Sequence, residues 1–217
     1  MFYLVKPPWL VKKYLNDCIW EIDTDKNELF LTFDDGPHPE VTPFVLEQLR
    51  TYNAKATFFC VGENVQKYFE VYKQIINEGH AVGNHTFSHL NAWKVGDKKY
   101  LEDVSKAKKI IDTEIFRPPY GRINRFQVNA LMGKNYNLNT IMWSALSGDF
   151  DPSIKVDECF LNVSHNAKKG AIIVFHDSAK AFPVLKQVLP RVLQFCKEQQ
   201  MHLEKISLRH VQKNGPE

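Results

Sequence analysis

Residues 28–37 read Glu-Leu-Phe-Leu-Thr-Phe-Asp-Asp-Gly-Pro. A run of β-type composition (28–33) ends in two adjacent carboxylates and a turn-forming Gly-Pro pair. The same unit, a short apolar run followed at once by a reactive group, recurs along the chain and alternates with helical spacing. Residues 41–52 carry Val41, Phe44, Val45, Leu49 and Tyr52 at helical intervals. Residues 56–61 read as a strand, 63–78 as a helix closed by Gly79, 80–83 as a strand and 97–112 as a charged helix. A strand at 115–117 is stopped by Pro118 and Pro119. Helices are predicted at 124–134, 156–168 and 182–199, and strands at 138–143, 171–175 and 202–206. About seven strands in βαβα order predict a parallel α/β architecture, and a barrel and an open sheet both fit.

Composition bounds the rest. The chain has 217 residues, 44% hydrophobic and 24% charged, which predicts one globular domain, or two small ones at most, and not a disordered, collagenous or coiled-coil chain. Net charge is +3 with no basic block, so no nucleic-acid partner is expected. No apolar run approaches the roughly 20 residues of a membrane-spanning helix. The apolar start of the chain is broken by Lys6, Pro7 and Pro8, too early for the apolar region of a signal peptide, and a cytoplasmic location is the expectation. Cys18, Cys60, Cys159 and Cys196 are widely spaced and read as reduced structural thiols. A monomer is the default.

In parallel α/β folds the reactive groups sit just beyond the carboxyl ends of strands. Here those positions hold Asp34 and Asp35, His85 and His89, Arg117 and Tyr120, Ser144 and Asp149, and His176 and Asp177. His85 and His89 are four apart, and on a helical turn both imidazoles would grip one metal. A carboxylate is a natural third ligand, which leaves a position for water; bound Zn²⁺ lowers the pKa of such a water to about 7. A histidine pair at this spacing is common by chance, and the paired acids at another strand end give it weight. Adjacent carboxylates can divide roles, one binding metal and one taking a proton, and residues 34–37 also form a turn. Arg117-Pro118-Pro119-Tyr120-Gly121 is first a turn signal; inside a polar site its guanidinium would hold a carboxylate bidentately. His176 reads either as a satisfied core histidine or, beside acids, as a general acid. Two histidines and a carboxylate also serve non-haem Fe(II) oxygenases, but Asp34 and His176 fit hydrolysis better.

Four ordered motifs carry a family resemblance: Thr32-Phe33-Asp34-Asp35-Gly36-Pro37, His85-Thr86-Phe87-Ser88-His89, Arg117-Pro118-Pro119-Tyr120 and Ile173-Val174-Phe175-His176. With Ala56-Thr57-Phe58-Phe59 and Gly83-Asn84, they resemble the polysaccharide deacetylases, the NodB-homology group or carbohydrate esterase family 4, over residues 28–206. The resemblance implies a distorted (β/α)7 barrel, TIM-like and in a single domain. An N-terminal extension (1–27) would pack on a catalytic domain (28–217). It implies metal-dependent removal of N- or O-linked acetyl groups from a carbohydrate. Asp35, His85 and His89 would hold a divalent metal, Zn²⁺ by default, with Co²⁺, Fe²⁺ or Ni²⁺ as alternatives. Asp34 would be the base and Arg117 its charge partner. The Tyr120 N–H would hold the oxyanion, and His176 would be the acid, oriented by Asp149. Trp93, Pro118, Val174 and Phe150 are the expected substrate contacts, with Val174 in the acetyl-methyl pocket.

The fourth motif departs from the family pattern: Leu146 stands for an acid and Phe150 for a tryptophan. That motivates an alternative, a metal amidohydrolase of the same fold acting on a small non-sugar amide or cyclic ureide. A non-catalytic sugar-binding protein is a third reading. His38 is a candidate substrate contact; His80, His165, His202 and His210 are assigned no catalysis, and Trp143 reads as core.

Overall fold

In the computed structural model, residues 3–207 are described; His210 lies outside them. Strand β1 (Glu28–Asp34) is the axis of the sheet. Its side chains alternate, as a pleated strand requires. Leu29, Leu31 and Phe33 point into the layer shared with the surrounding helices, while Phe30 points the other way, into a cluster with Phe59, Ile115, Ile141 and Ile172. Thr32 and Asp34 share that inner face. Each fully buried Leu or Phe contributes about 1.5–3 kcal/mol, so a slip of one residue, which would drive Asp34 into the apolar layer, is strongly disfavoured.

β1 pairs in parallel with β2 (Thr57–Cys60) and, on its other side, β7 (Ile172–His176). The pairing continues through β3 (Ala81–Asn84), β4 (Ile115–Phe116) and β5 (Asn139–Thr140) on one side. On the other, β7 pairs with β6 (Ala145–Leu146). The order is β5-β4-β3-β2-β1-β7-β6, with β8 (His202–Leu203) alongside the start of β1. Helices α2 (Val41–Thr51), α5 (Asp97–Lys108), α6 (Arg125–Met132), α7 (Val156–Ser164) and α8 (Phe182–Glu198) pack outside. This is a distorted (β/α)7 barrel in one domain.

The sheet ends at β5 and β6, and residues 19–22 span from β5 to the start of β7. Ile19 bridges Ile141 and Glu21 bridges Ala171. The N–H groups of Ile19, Met142 and Ile22 donate to Thr140, Ile19 and Gly170 respectively. Leu15, Cys18, Trp20 and Ile22 of this stretch are buried, and α1 (Trp9–Tyr14) precedes it.

Two expectations are corrected. The helix predicted at 63–78 is two, α3 (Gly62–Lys67) and α4 (Phe69–Asn77), because Tyr68 leaves helical geometry at φ −124° and ψ 48°. The strand predicted at 138–143 shortens to β5, and the chain bends at Ser144 to form β6, a strand too short for periodicity to reveal. Gly79 does close α4, at φ +79°. All four cysteines are free and buried.

Candidate active site

The inner face of β1 ends at Asp34, whose Cα partner on β7 is His176. Across the sheet, Asn84 partners Phe116, so the next residues, His85 and Arg117, also meet: His85 Nδ1–H donates to the Arg117 carbonyl at 2.8 Å. Register alone therefore gathers four polar residues at one end of the barrel.

Arg117 is fully buried and its side chain makes four hydrogen bonds. Nη1 donates to Asp34 Oδ1 at 2.8 Å and to Thr32 Oγ1 at 2.6 Å; Nε and Nη2 donate to the carbonyls of Ile141 (3.2 Å) and Met142 (2.9 Å). Its guanidinium lies 4.1 Å from the Phe59 ring centroid. The expected bidentate grip on a carboxylate is thus corrected: one N–H reaches Asp34, and the remaining donors lock the fork to the strand ends. A lysine has no such fork. Asp34 is 5% exposed and carries the buried charge that Arg117 needs.

Asp35 turns away from Asp34 because its backbone is left-handed (φ +80°). Its Oδ1 lies 3.0 Å from His89 Nε2 and 3.7 Å from His85 Nε2. One ligand-capable atom from each of Asp35, His85 and His89 lies within 4.8 Å of the others. The donor set fits a divalent ion. The Nδ1–H···O bond to Arg117 leaves His85 Nε2 as its free ligand atom. Burial pushes the His85 pKa down to about 4, which keeps the imidazole neutral. Burial alone would raise Asp35, but the His89 hydrogen bond and the charge of His176 hold it well below the usual carboxylate range.

The two histidines do not sit on a helical turn, as the spacing predicted. Residues 85–89 form a loop in which Thr86 (φ +62°) and His89 (φ +54°) are left-handed. Asp103 of α5 accepts from the N–H groups of Phe87 and Ser88, each at 2.9 Å, and Asn84 Oδ1 accepts from Thr86 N–H. These bonds to loop amides bring the rings to 5.1 Å between centroids.

On the opposite side, Asp149 Oδ1 accepts from His176 Nδ1 at 2.8 Å and Oδ2 accepts from the His176 backbone N–H at 2.8 Å. Burial pulls the His176 pKa down, but the Asp149 charge and hydrogen bond, with Asp35 and Asp34, push it up to about 9. Ser147 Oγ donates to Asp149 Oδ1 at 3.0 Å and supplies polar wiring despite Leu146.

A polysaccharide deacetylase family model matches residues 21–138. The chain belongs to the polysaccharide deacetylase family. It is 38% identical over 71% of its length to a peptidoglycan-N-acetylglucosamine deacetylase of Bacillus cereus, and spans 57% of that protein. It is 33% identical to a chitooligosaccharide deacetylase of Azorhizobium caulinodans, over 72% of this chain and 76% of that one. The crystal structure of the Bc1960 peptidoglycan N-acetylglucosamine deacetylase superposes with a TM-score of 0.81 at 32% identity, covering 93% of this chain and 94% of the other.

Around the candidate site, Tyr120 is left-handed (φ +60°) and 59% exposed, its ring 4.7 Å from His89. Trp93 is 64% exposed under the Arg122 guanidinium. Pro118 is buried. Val174 is buried two residues below His176 on the same strand face, and the Phe150 ring lies 5.1 Å from His176. His38 Nδ1 accepts from Glu40 and Val41 N–H at the start of α2, a structural role. Trp143 packs against the two inner clusters, as core. His80 accepts from Ala56 N–H and is pushed down to about 4, by burial first and by Lys55.

Two residues were given no role by sequence reasoning. Asp177 is fully buried; its Oδ1 accepts from Gly36 N–H at 3.0 Å and its Oδ2 from Thr42 Oγ1 at 2.5 Å. An ideal Cβ on Gly36 would stand 2.0 Å from that carboxylate, so only glycine admits the clamp. The signal was present, since Asp177 follows His176 at a strand end; its partner, the turn at Gly36, is distant in sequence. Asp103 gave none beyond a charged helix face.

Proposed function

We propose that the chain is a metal-dependent deacetylase that removes the N-acetyl group from N-acetylglucosamine units of a glycan. The reading rests on one convergence: Asp35, His85 and His89 share a possible metal site, flanked by Asp34 under Arg117 and by the Asp149–His176 pair. Fold alone would not carry it. The named relatives that act on peptidoglycan N-acetylglucosamine or chitooligosaccharide support the sugar and the amide.

Asp35, His85 and His89 would hold the ion, Zn²⁺ by default. When bound, it activates water and polarises the acetyl carbonyl. Asp34 takes the proton of the attacking water, while Arg117 balances its charge. The Tyr120 N–H, presented by a left-handed residue at the rim, is the oxyanion donor; one such donor is typically worth about 3–4 kcal/mol. His176, kept protonated by Asp149, gives its proton to the leaving amine. The two proton-transfer groups are in opposite protonation states because Arg117 faces one and Asp149 the other. Trp93 and Tyr120 are exposed on the rim, which suits a long sugar chain better than the enclosed pocket a small cyclic amide would need.

Acetate release from N-acetylated chitooligosaccharides and peptidoglycan fragments by metal-loaded protein tests this. Release is expected, and Asp34→Asn is expected to slow it by about 10²–10⁴. Metal-loaded protein that frees no acetate from any acetylated sugar would end the reading.

A further inference from the structure

The stretch ahead of residue 21 and the loop around Asp149 both lie outside the span matched to the family, and they touch each other. Strand β6 is the end of the sheet, and its Leu146 N–H donates to the Val5 carbonyl at 2.9 Å. An edge amide that the sheet cannot pair is thereby satisfied. The Tyr3 ring packs on Phe150, with centroids 4.8 Å apart at 58°. Gly148, at φ +88°, leaves the space the Tyr3 hydroxyl fills: an ideal Cβ there would stand 2.6 Å from that oxygen. All three contacts land on 146–150, the loop that carries Asp149. Phe150 in turn meets His176 edge-on, with centroids 5.1 Å apart at 71°.

We propose that Tyr3 is a positioning residue of the deacetylase site, holding Phe150 against His176 and so fixing the imidazole that Asp149 orients. This rests on the reading of His176 as the general acid. A ring tethered only through Nδ1 can rock about that hydrogen bond. Rocking moves Nε2, the nitrogen left to give a proton. An aromatic edge against the ring restricts this motion, and Phe150 is itself held only if something backs it. Tyr3 is that backing. It also accounts for the replacement of the family tryptophan: a smaller ring at 150 is backed by a second ring from another segment.

The test uses the full chain, metal-loaded, with Tyr3→Ala, Tyr3→Phe and Phe150→Leu, each checked for cooperative thermal unfolding. Tyr3→Ala is expected to lower kcat by about tenfold or more with KM within about twofold, because a small misplacement of a catalytic group is costly. Tyr3→Phe should restore the parental kcat, since the ring and not the hydroxyl backs Phe150. Phe150→Leu removes the same edge while leaving Tyr3 and the β6 pairing in place, and should show the same loss. A second readout needs no turnover. The hydrogen-bonded His176 Nδ1 proton, seen by NMR, should exchange with water faster in Tyr3→Ala than in the parent or in Tyr3→Phe. Folded Tyr3→Ala with parental kcat, or with unchanged exchange of that proton, overturns the proposal. If the parent itself frees no acetate, the general-acid reading fails, and the exchange measurement still decides whether Tyr3 positions the ring.

Discussion

Replacing Asp177 separates structure from chemistry at this site. Its carboxylate accepts from Gly36 N–H and Thr42 Oγ1, and its own N–H donates to the Asp34 carbonyl at 3.0 Å. Asp177→Ala leaves a buried amide and a buried hydroxyl without their acceptor. Each costs about 1–3 kcal/mol, so the loss is roughly 2–6 kcal/mol. For a chain of this size that lowers Tm by roughly 5–20 °C. Asp177→Asn keeps an acceptor for Gly36 and an amide for Thr42, so its loss at low pH is small. The pH dependence separates the two further. Burial pushes Asp177 up to about 8, with the Asp35 charge adding and the Thr42 and Gly36 hydrogen bonds opposing. The folded pKa lies above that of a free carboxyl, so this contribution is complete below about pH 4 and is lost as pH rises to about 8. The parent should therefore weaken over that window more than Asp177→Asn does. Thermal unfolding followed by circular dichroism across the window measures this, and calorimetric metal titration reads the turn that carries Asp35. Metal binding should weaken in Asp177→Ala and largely recover in Asp177→Asn. An alanine variant as stable as the asparagine variant throughout, with parental metal affinity, would refute the clamp.

Arg117→Met strands the buried Asp34 carboxylate and should cost about 3–5 kcal/mol in urea unfolding. With His176 at about 9 and needed in its protonated form, kcat/KM should fall above that pH; Asp149→Asn removes the main cause of the elevation and should move the limb to lower pH, and a stationary limb would contradict the assignment. Asp103→Ala frees two loop amides of the His85–His89 turn and should weaken metal binding, read by calorimetry, more than it lowers Tm, because Asp103 is partly exposed. Chelation should abolish acetate release, and restored Zn²⁺ should recover it.

Much of the barrel was legible because its rules are local. Alternation in β1, the helical stripe of 41–52 and the polar groups that follow each strand are written in short windows, and the parallel order follows from them. The histidine pair shows the limit. Its spacing suggested a shared metal for a helical reason, yet the rings meet through a left-handed loop held by Asp103, a residue of the next helix. The predicted helix at 63–78 failed likewise, since nothing in its apolar spacing marks Tyr68 as the break.

Residue type and order at the strand ends thus set the chemistry on offer: two carboxylates, a pair of histidines four apart, one guanidinium and a further histidine. Strand polarity brings them to one end, because every strand of a parallel barrel presents its carboxyl end on the same side. Tertiary structure decided what each group can do. Burial and register gave Arg117 to Asp34 and Asp149 to His176, and a left-handed backbone, in the turn that Asp177 clamps at Gly36, aimed Asp35 away from its neighbour. It also decided where Tyr3 packs. Only the folded chain places Tyr3 against Phe150, on the loop whose Asp149 accepts from His176, since that contact joins residues 147 positions apart whose local patterns carry no trace of each other.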